Sequence, residues 1–151
     1  MNIGVGLPTS TSGINAELLF EWAKRADAGP FSSLGVVDRV AYQNYEPFTA
    51  LAAAAAITRR VRLATMVVIA PLRNTATLAK QAASVDALSG GRLTLGLAVG
   101  ARGEDYEVSG IETRGRGRRS ADRQAGCDAA GNAFGNTGSQ GRYVRLRLPA
   151  A

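Results

Sequence analysis

Asp38 and Arg39 follow directly on the apolar run Leu34-Gly35-Val36-Val37, so a carboxylate and a guanidinium are delivered together at the carboxyl end of a buried strand. Such a pair could hold a polar ligand, but the guanidinium stays protonated at neutral pH and cannot serve as a base. The same residues read equally well as a turn-forming Asp, bonded to its own backbone, beside a solvated Arg. Tyr42 and Tyr45 lie in the loop beyond and could wall a pocket or pack on the loop. Two other strand ends offer places for a ligand to approach, Val68 to Arg73 and Ala98 to Arg102. His is absent and Cys127 stands alone, which excludes a disulfide within the chain, a Cys/His zinc site and a His-based triad. Redox or hydride chemistry would have to come from a bound cofactor.

A repeated unit must position these residues. The stretches from Arg60 to Pro71 and from Ser89 to Gly100 each lead from a basic turn into a short apolar strand. Between them Leu78, Ala79, Ala82, Val85 and Leu88 recur at helical spacing, so the pair reads as a β-α-β unit. The chain opens on Ile3-Gly4-Val5-Gly6-Leu7, a strict alternation ended by Pro8. Asn15 can cap a helix in which Leu18, Leu19, Trp22, Ala23 and Ala26 form one face, with Trp22 expected as a core anchor and Gly29-Pro30 as the stop. Pro47 opens a second helix running to Thr58, and Asn74 caps a third that Ser89-Gly90-Gly91 ends.

Strands starting near residues 3, 33, 61 and 92 repeat at about thirty residues, the length of one β-α repeat. The spacing predicts an α/β fold of four parallel strands in sequential order, with helices on one outer face. A complete eightfold barrel needs roughly 250 residues. Residues 1–113 therefore supply half of a (β/α)8 TIM barrel. Large residues at 93, 95, 97 and 99 would meet the helices, and the small ones between them would face the interior. Ligand sites of such barrels lie at the carboxyl ends of strands, where Asp38, Met66, Val67 and Gly100 are expected to converge.

The net charge of +6 does not belong to this unit. Residues 1–114 hold 11 basic and 10 acidic side chains, whereas the rest holds 7 and 2. From Arg114 onward Arg, Gly, Ala, Ser and Asp dominate with almost no periodic apolar residue. Residues 114–151 are accordingly expected to form a largely disordered Arg/Gly-rich tail with one extended piece at Tyr143-Val144-Arg145-Leu146. Neither a signal-peptide pattern nor an apolar run long enough to cross a bilayer occurs, so a cytoplasmic protein is expected.

Several runs together resemble one family. They are Ala28-Gly29 through Asp38-Arg39, Val61-Arg62-Leu63-Ala64-Thr65, Ala70-Pro71-Leu72-Arg73-Asn74, Leu78-Ala79-Lys80-Gln81-Ala82-Ala83, and Asp86-Ala87-Leu88-Ser89-Gly90-Gly91-Arg92-Leu93-Thr94-Leu95-Gly96. They resemble the luciferase-like flavin- and deazaflavin-dependent oxidoreductases, a set of (β/α)8 barrels, and the resemblance extends weakly to Arg118-Arg119. It implies an oxidoreductase or monooxygenase using FMN or coenzyme F420, whose ring lies across the carboxyl mouth of the barrel. By the same resemblance Asp38, Arg39, Met66, Val67, Val68, Ala98, Val99 and Gly100 contact the cofactor, and a non-prolyl cis peptide near Met66-Val67 backs the ring. Arg39 stands where His is frequent and Gly35 where many members carry Trp. Near the end of the fourth strand no acid occupies the position of the Glu proton donor of sugar-phosphate dehydrogenases, so that subtype is not expected. No catalytic residue and no metal ligand is implied. After Arg119 the family pattern gives way to an Arg/Gly/Ala run that looks like translation of GC-rich DNA in a shifted frame.

Three readings follow. One is flavin or F420 chemistry, hydride or oxygen transfer to an unidentified small molecule, with catalysis lost or requiring a partner. Another is a non-catalytic fragment that self-associates through open strand edges. The third is nucleic-acid binding by the Arg/Gly tail, which lacks the aromatic platform such binding normally uses.

Overall fold

The computed structural model describes residues 1–114 and the backbone of two further strands at 133–135 and 142–145. In chain order the elements are β1 (Gly4–Gly6), α1 (Ala16–Ala28), β2 (Ser33–Val36), α2 (Pro47–Ile57), β3 (Arg62–Thr65), β4 (Val68–Ile69), a 3₁₀ turn (Ala70–Leu72), α3 (Thr75–Ser89), β5 (Leu93–Ala98), α4 (Gly103–Val108), β6 (Ala133–Gly135) and β7 (Arg142–Arg145). Strands β1, β2, β3 and β5 run parallel in sequential order, and β4 also pairs parallel with β5. The four predicted units are present in the predicted order.

The register explains the layering. Val5, Leu34, Leu63 and Leu93 align across the four strands, and the last three are fully buried beneath the helices. Gly6, Gly35, Ala64 and Thr94 form the next row, on the opposite face because side chains alternate along a strand. Helix α2 lies between α1 and α3, and its Leu51, Ala54 and Ala55 are fully enclosed. Its alanines let the helix approach the sheet closely. Each buried leucine of this layer contributes about 1.5–3 kcal/mol.

Caps fall where the sequence places them. Asn15 Oδ1 accepts from Leu18 N–H at 2.9 Å and Asn74 Oδ1 from Thr77 N–H at 3.1 Å. Gly90 ends α3 in the left-handed conformation at φ 68°.

Two expectations need correction. In α1 the buried residues are Leu19, Ala23 and Ala26, while Leu18 and Trp22 are 51% and 42% exposed. Each stands one position before a buried residue and so about 100° around the axis from it. Trp22 is not a core anchor. The second concerns the open strand edges, since β5 is covered on its far side: Leu95–Leu97 pair antiparallel with Arg142–Val144 of β7, and β6 pairs with β7 in turn. The ends of the strand order are β1 and β6. The disorder and the shifted-frame origin expected for the remainder of 114–151 fall on residues outside those described.

The Ser-Gly-Gly-Arg run works at the amino ends of the strands. Arg92 donates to the carbonyls of Ser89 and Val61 at 2.7 Å each and of Thr58 at 2.9 Å, joining the ends of α2 and α3 to the start of β5. Asp27, at the end of α1, accepts from the N–H groups of Arg59, Arg60 and Val61 at 2.8 Å each. These bonds tie the loops at the amino end of the sheet together. The residues expected to meet a ligand lie at the opposite end.

Candidate functional site

At the carboxyl end the third strand is interrupted. Ala64 pairs with Thr94 and Val68 with Leu97, so four steps along one strand face three along its neighbour, which defines a one-residue β-bulge. The Met66–Val67 peptide within it is cis, at the bond the resemblance indicates. The bulge breaks the backbone ladder, and the Thr65 hydroxyl fills the gap. It donates to Gly96 O at 2.9 Å and accepts from Gly96 N–H at 2.7 Å. Met66 is thereby turned onto the small-residue face, 53% exposed, lying against Gly35. A Cβ on Gly35 would come within 2.8 Å of Met66 Cγ, so the glycine makes room for the methionine.

Asp38, at the end of β2, is 6% exposed and fully engaged. It accepts from Ile69 N–H at 2.8 Å and from Arg73 Nη2 at 2.9 Å, and Arg73 also pairs with Glu46 at 2.9 Å. The carboxylate thus fastens the end of β2 to that of β4. Glu46 also caps α2, accepting from Thr49 N–H at 2.8 Å. Burial pushes its carboxyl up, but the Thr49 and Phe48 N–H groups, the Thr49 hydroxyl and Arg73 outweigh this and hold it below the usual glutamate value.

Arg39 points elsewhere. Its Nε donates to Asp105 at 2.7 Å and its guanidinium lies 4.0 Å over the Tyr42 ring. Asp105, whose side chain is 1% exposed, also accepts from Val40 N–H at 2.8 Å and Ala41 N–H at 3.0 Å. Burial raises its pKa, yet those two N–H groups and Arg39 prevail and set it below the ordinary aspartate value. Burial also works against the Arg39 charge, but Asp105 and Tyr42 more than compensate and raise its pKa. Helix α4, which carries Asp105, is anchored by Tyr106, whose hydroxyl donates to Val99 O. The loop after β2 and the segment after β5 are locked together across the mouth.

The eight predicted contact residues therefore lie at one end of the sheet and divide into two groups. Met66, Val67, Ala98, Val99, Gly100 and Arg39 retain exposed surface, whereas Asp38 and Val68 are buried beneath them. Sequence reasoning passed over Asp105, Glu46 and Thr65. Asp105 lay within the weakly resembling run, but only folding brings it to Arg39, 66 residues away.

The face suits a planar ring. A Cβ on Gly6 would meet nothing within 4 Å, Gly35 and Ala64 add no bulk, and half-exposed Met66 supplies an apolar surface beside them. Gly100 turns the chain away at φ 74°, with Ile69 packed so closely that a Cβ there would approach Ile69 Cγ2 to 2.7 Å. No His/Cys/Asp/Glu cluster fit for a metal ion occurs among the described residues.

A half-barrel of parallel β-α units with a bulged third strand defines the class, and comparison with known proteins identifies the family. Residues 1–124 match the luciferase-like monooxygenases, and the chain belongs to that family. An uncharacterised protein of Mycobacterium bovis is 34% identical over 119 residues, covering 64% of this chain and 41% of that protein. The oxygenase component of the flavin-dependent trigonelline monooxygenase of Acinetobacter baylyi is 41% identical over 75 residues, covering 48% of this chain and 21% of its own length. The crystal structure of monooxygenase RslO1 from Streptomyces bottropensis superimposes with a TM-score of 0.76 at 27% identity, covering 97% of this chain and 48% of that one. Other solved structures of this fold hold FMN or an F420 adduct, at 22% and 19% identity. This chain thus spans less than half the length of the relatives it matches.

Proposed function

We propose that this chain carries the ring-binding face of a flavin- or F420-dependent oxidoreductase of the monooxygenase type. The observation that carries the reading is the uncluttered floor formed by Gly6, Gly35, Ala64 and the outward-turned Met66, bounded by the Ala98–Gly100 turn. FMN or coenzyme F420 would supply hydride or oxygen chemistry there. Met66 and Val67 would support the ring, and Ala98, Val99 and Gly100 would border it. Asp38 and Val68 would hold that floor from beneath. Arg39, fixed by Asp105 and Tyr42, places a permanent positive charge at the rim. Neither member of the Asp38-Arg39 pair is suited to relay a proton, since Asp38 is enclosed and Arg39 remains charged.

Fluorescence titration with FMN and with F420 tests the reading. Saturable binding with a dissociation constant above roughly 10 µM is expected for an incompletely enclosed ring. Gly6→Leu, which fills open space on the floor, should weaken it at least about tenfold. An affinity unmoved by that substitution, or no binding at millimolar cofactor, would overturn the assignment.

A second reading, association between copies of the chain, is supported by the position of β1 at one end of the strand order and by the exposure of Ile3, Leu18 and Trp22. Sedimentation velocity over a concentration series checks it. A monomer at all concentrations would refute it.

A further inference from the structure

Met66 is a large apolar side chain left half-exposed, and its surroundings hold it there. Its own N–H donates to Val36 O at 2.6 Å, and Val68, two residues on, pairs with Leu97. The backbone on both sides is thus fixed by the sheet. Beneath the side chain lies Gly35, where a Cβ would come within 2.8 Å of Met66 Cγ and 3.7 Å of its sulfur. The thioether therefore rests on sheet backbone, and its exposed surface faces away from the sheet, over the floor. Of the three sulfur-bearing residues in the chain, Met1 is terminal and Cys127 lies outside the described residues. Among the described residues Met66 carries the one sulfur away from a chain end.

We propose that Met66 is a peroxide-sensitive switch of the ring-binding face, its oxidation to the sulfoxide shutting off cofactor binding. This rests on the flavin or F420 reading of the floor. In the step, a sulfur lone pair attacks one oxygen of hydrogen peroxide and the O–O bond breaks. The proton of the transferred oxygen passes to the departing hydroxide, which leaves as water, so sulfur loses two electrons and the peroxide gains them. Hydrogen peroxide is what O2 becomes when reduced FMN gives it two electrons and no substrate takes up an oxygen, so the oxidant would arise where Met66 sits. The product replaces an apolar surface by a strongly polar, chiral group. With Gly35 beneath, its oxygen has to stand on the ring side. Seating an apolar ring face there strips that oxygen of water without offering it a hydrogen bond, which is disfavoured. Ring binding is in this way coupled to the oxidation state of one sulfur.

Treatment of the full chain with dilute hydrogen peroxide, followed by peptide mass spectrometry and by fluorescence titration with FMN and with F420, provides the test. Met66 should gain one oxygen at a rate comparable to that of the fully exposed Met1, and a saturating amount of the cofactor that binds should slow it. Affinity for that cofactor should fall at least about tenfold, and return on treatment with the two methionine sulfoxide reductases, one for each sulfoxide epimer. In Met66→Leu, whatever its starting affinity, peroxide should change nothing. A Met66 that stays unoxidised while Met1 reacts, an affinity equal before and after its oxidation, or an equal loss in Met66→Leu would overturn the proposal. Should the leucine variant not bind, failure of the reductases to restore the affinity of the parent chain would equally overturn it. Absence of any cofactor binding before peroxide removes the flavin reading and the switch together, whereas binding that survives Met66 oxidation removes the switch alone.

Discussion

Asp105 is tied into the mouth by as many hydrogen bonds as Asp38, although it is the Asp38-Arg39 pair that stands out in the sequence. It receives two backbone N–H groups and one guanidinium, and it is almost wholly enclosed. Asp105→Asn keeps the shape but replaces an acceptor-only carboxylate by an amide whose NH2 faces donors. A loss of about 2–4 kcal/mol in urea denaturation is expected at pH 7. The pH dependence follows from the direction of the shift. Its folded pKa lies below the ordinary value of about 3.9, so its stabilisation is complete above that value and is lost as pH falls through the folded pKa. The parent chain should therefore weaken steeply below about pH 4, and Asp105→Asn should flatten that slope. Asp38 was legible as a strand-end carboxylate because its position follows from the strand pattern alone. Its partner Arg73 was not, because the pair is 35 residues apart and only the stacking of the β4 and β2 ends joins them.

Among the elements, the interrupted third strand and the amino-end clamp make separable predictions. Thr65→Val keeps the branched shape but removes the hydroxyl that serves both Gly96 N–H and Gly96 O. It should cost about 1–3 kcal/mol and expose the β5 amides to faster hydrogen exchange, measured at Gly96. Arg92→Lys is expected to be as damaging, about 2–3 kcal/mol by urea denaturation, since a single ammonium cannot reach the carbonyls of Ser89, Val61 and Thr58 as a planar fork does. Cofactor affinity should follow only from the loss of fold in Arg92→Lys. The strands and their order were readable because apolar runs recur at the length of a β-α repeat. The bulge was not readable from periodicity, because one extra residue in a short strand leaves no period to break. It came only through resemblance. The stripe of α1 misled for a related reason: adjacent apolar pairs such as Leu18-Leu19 and Trp22-Ala23 fit two faces, and packing selected the one with the smaller residues.

For the whole molecule, a floor without a closing wall should bind weakly and work poorly. Ring orientation for transfer demands a rigid shell placed to within about half an ångström, and among the described residues β1 ends the strand order. The chain alone is expected to show no steady-state reduction of substrate with FMN or F420. Submicromolar binding together with multiple turnovers would show that these residues suffice. Among the described residues no helix is long and apolar enough to cross a membrane. The misassigned tryptophan has one more consequence. Trp22 is the sole tryptophan of the chain, and it sits half in solvent on the flank of α1. Its emission should begin red-shifted in the native protein and change little when the core melts. Any blue shift would instead report that something has come to rest on that flank, making the indole an optical gauge of assembly and an insensitive one of unfolding.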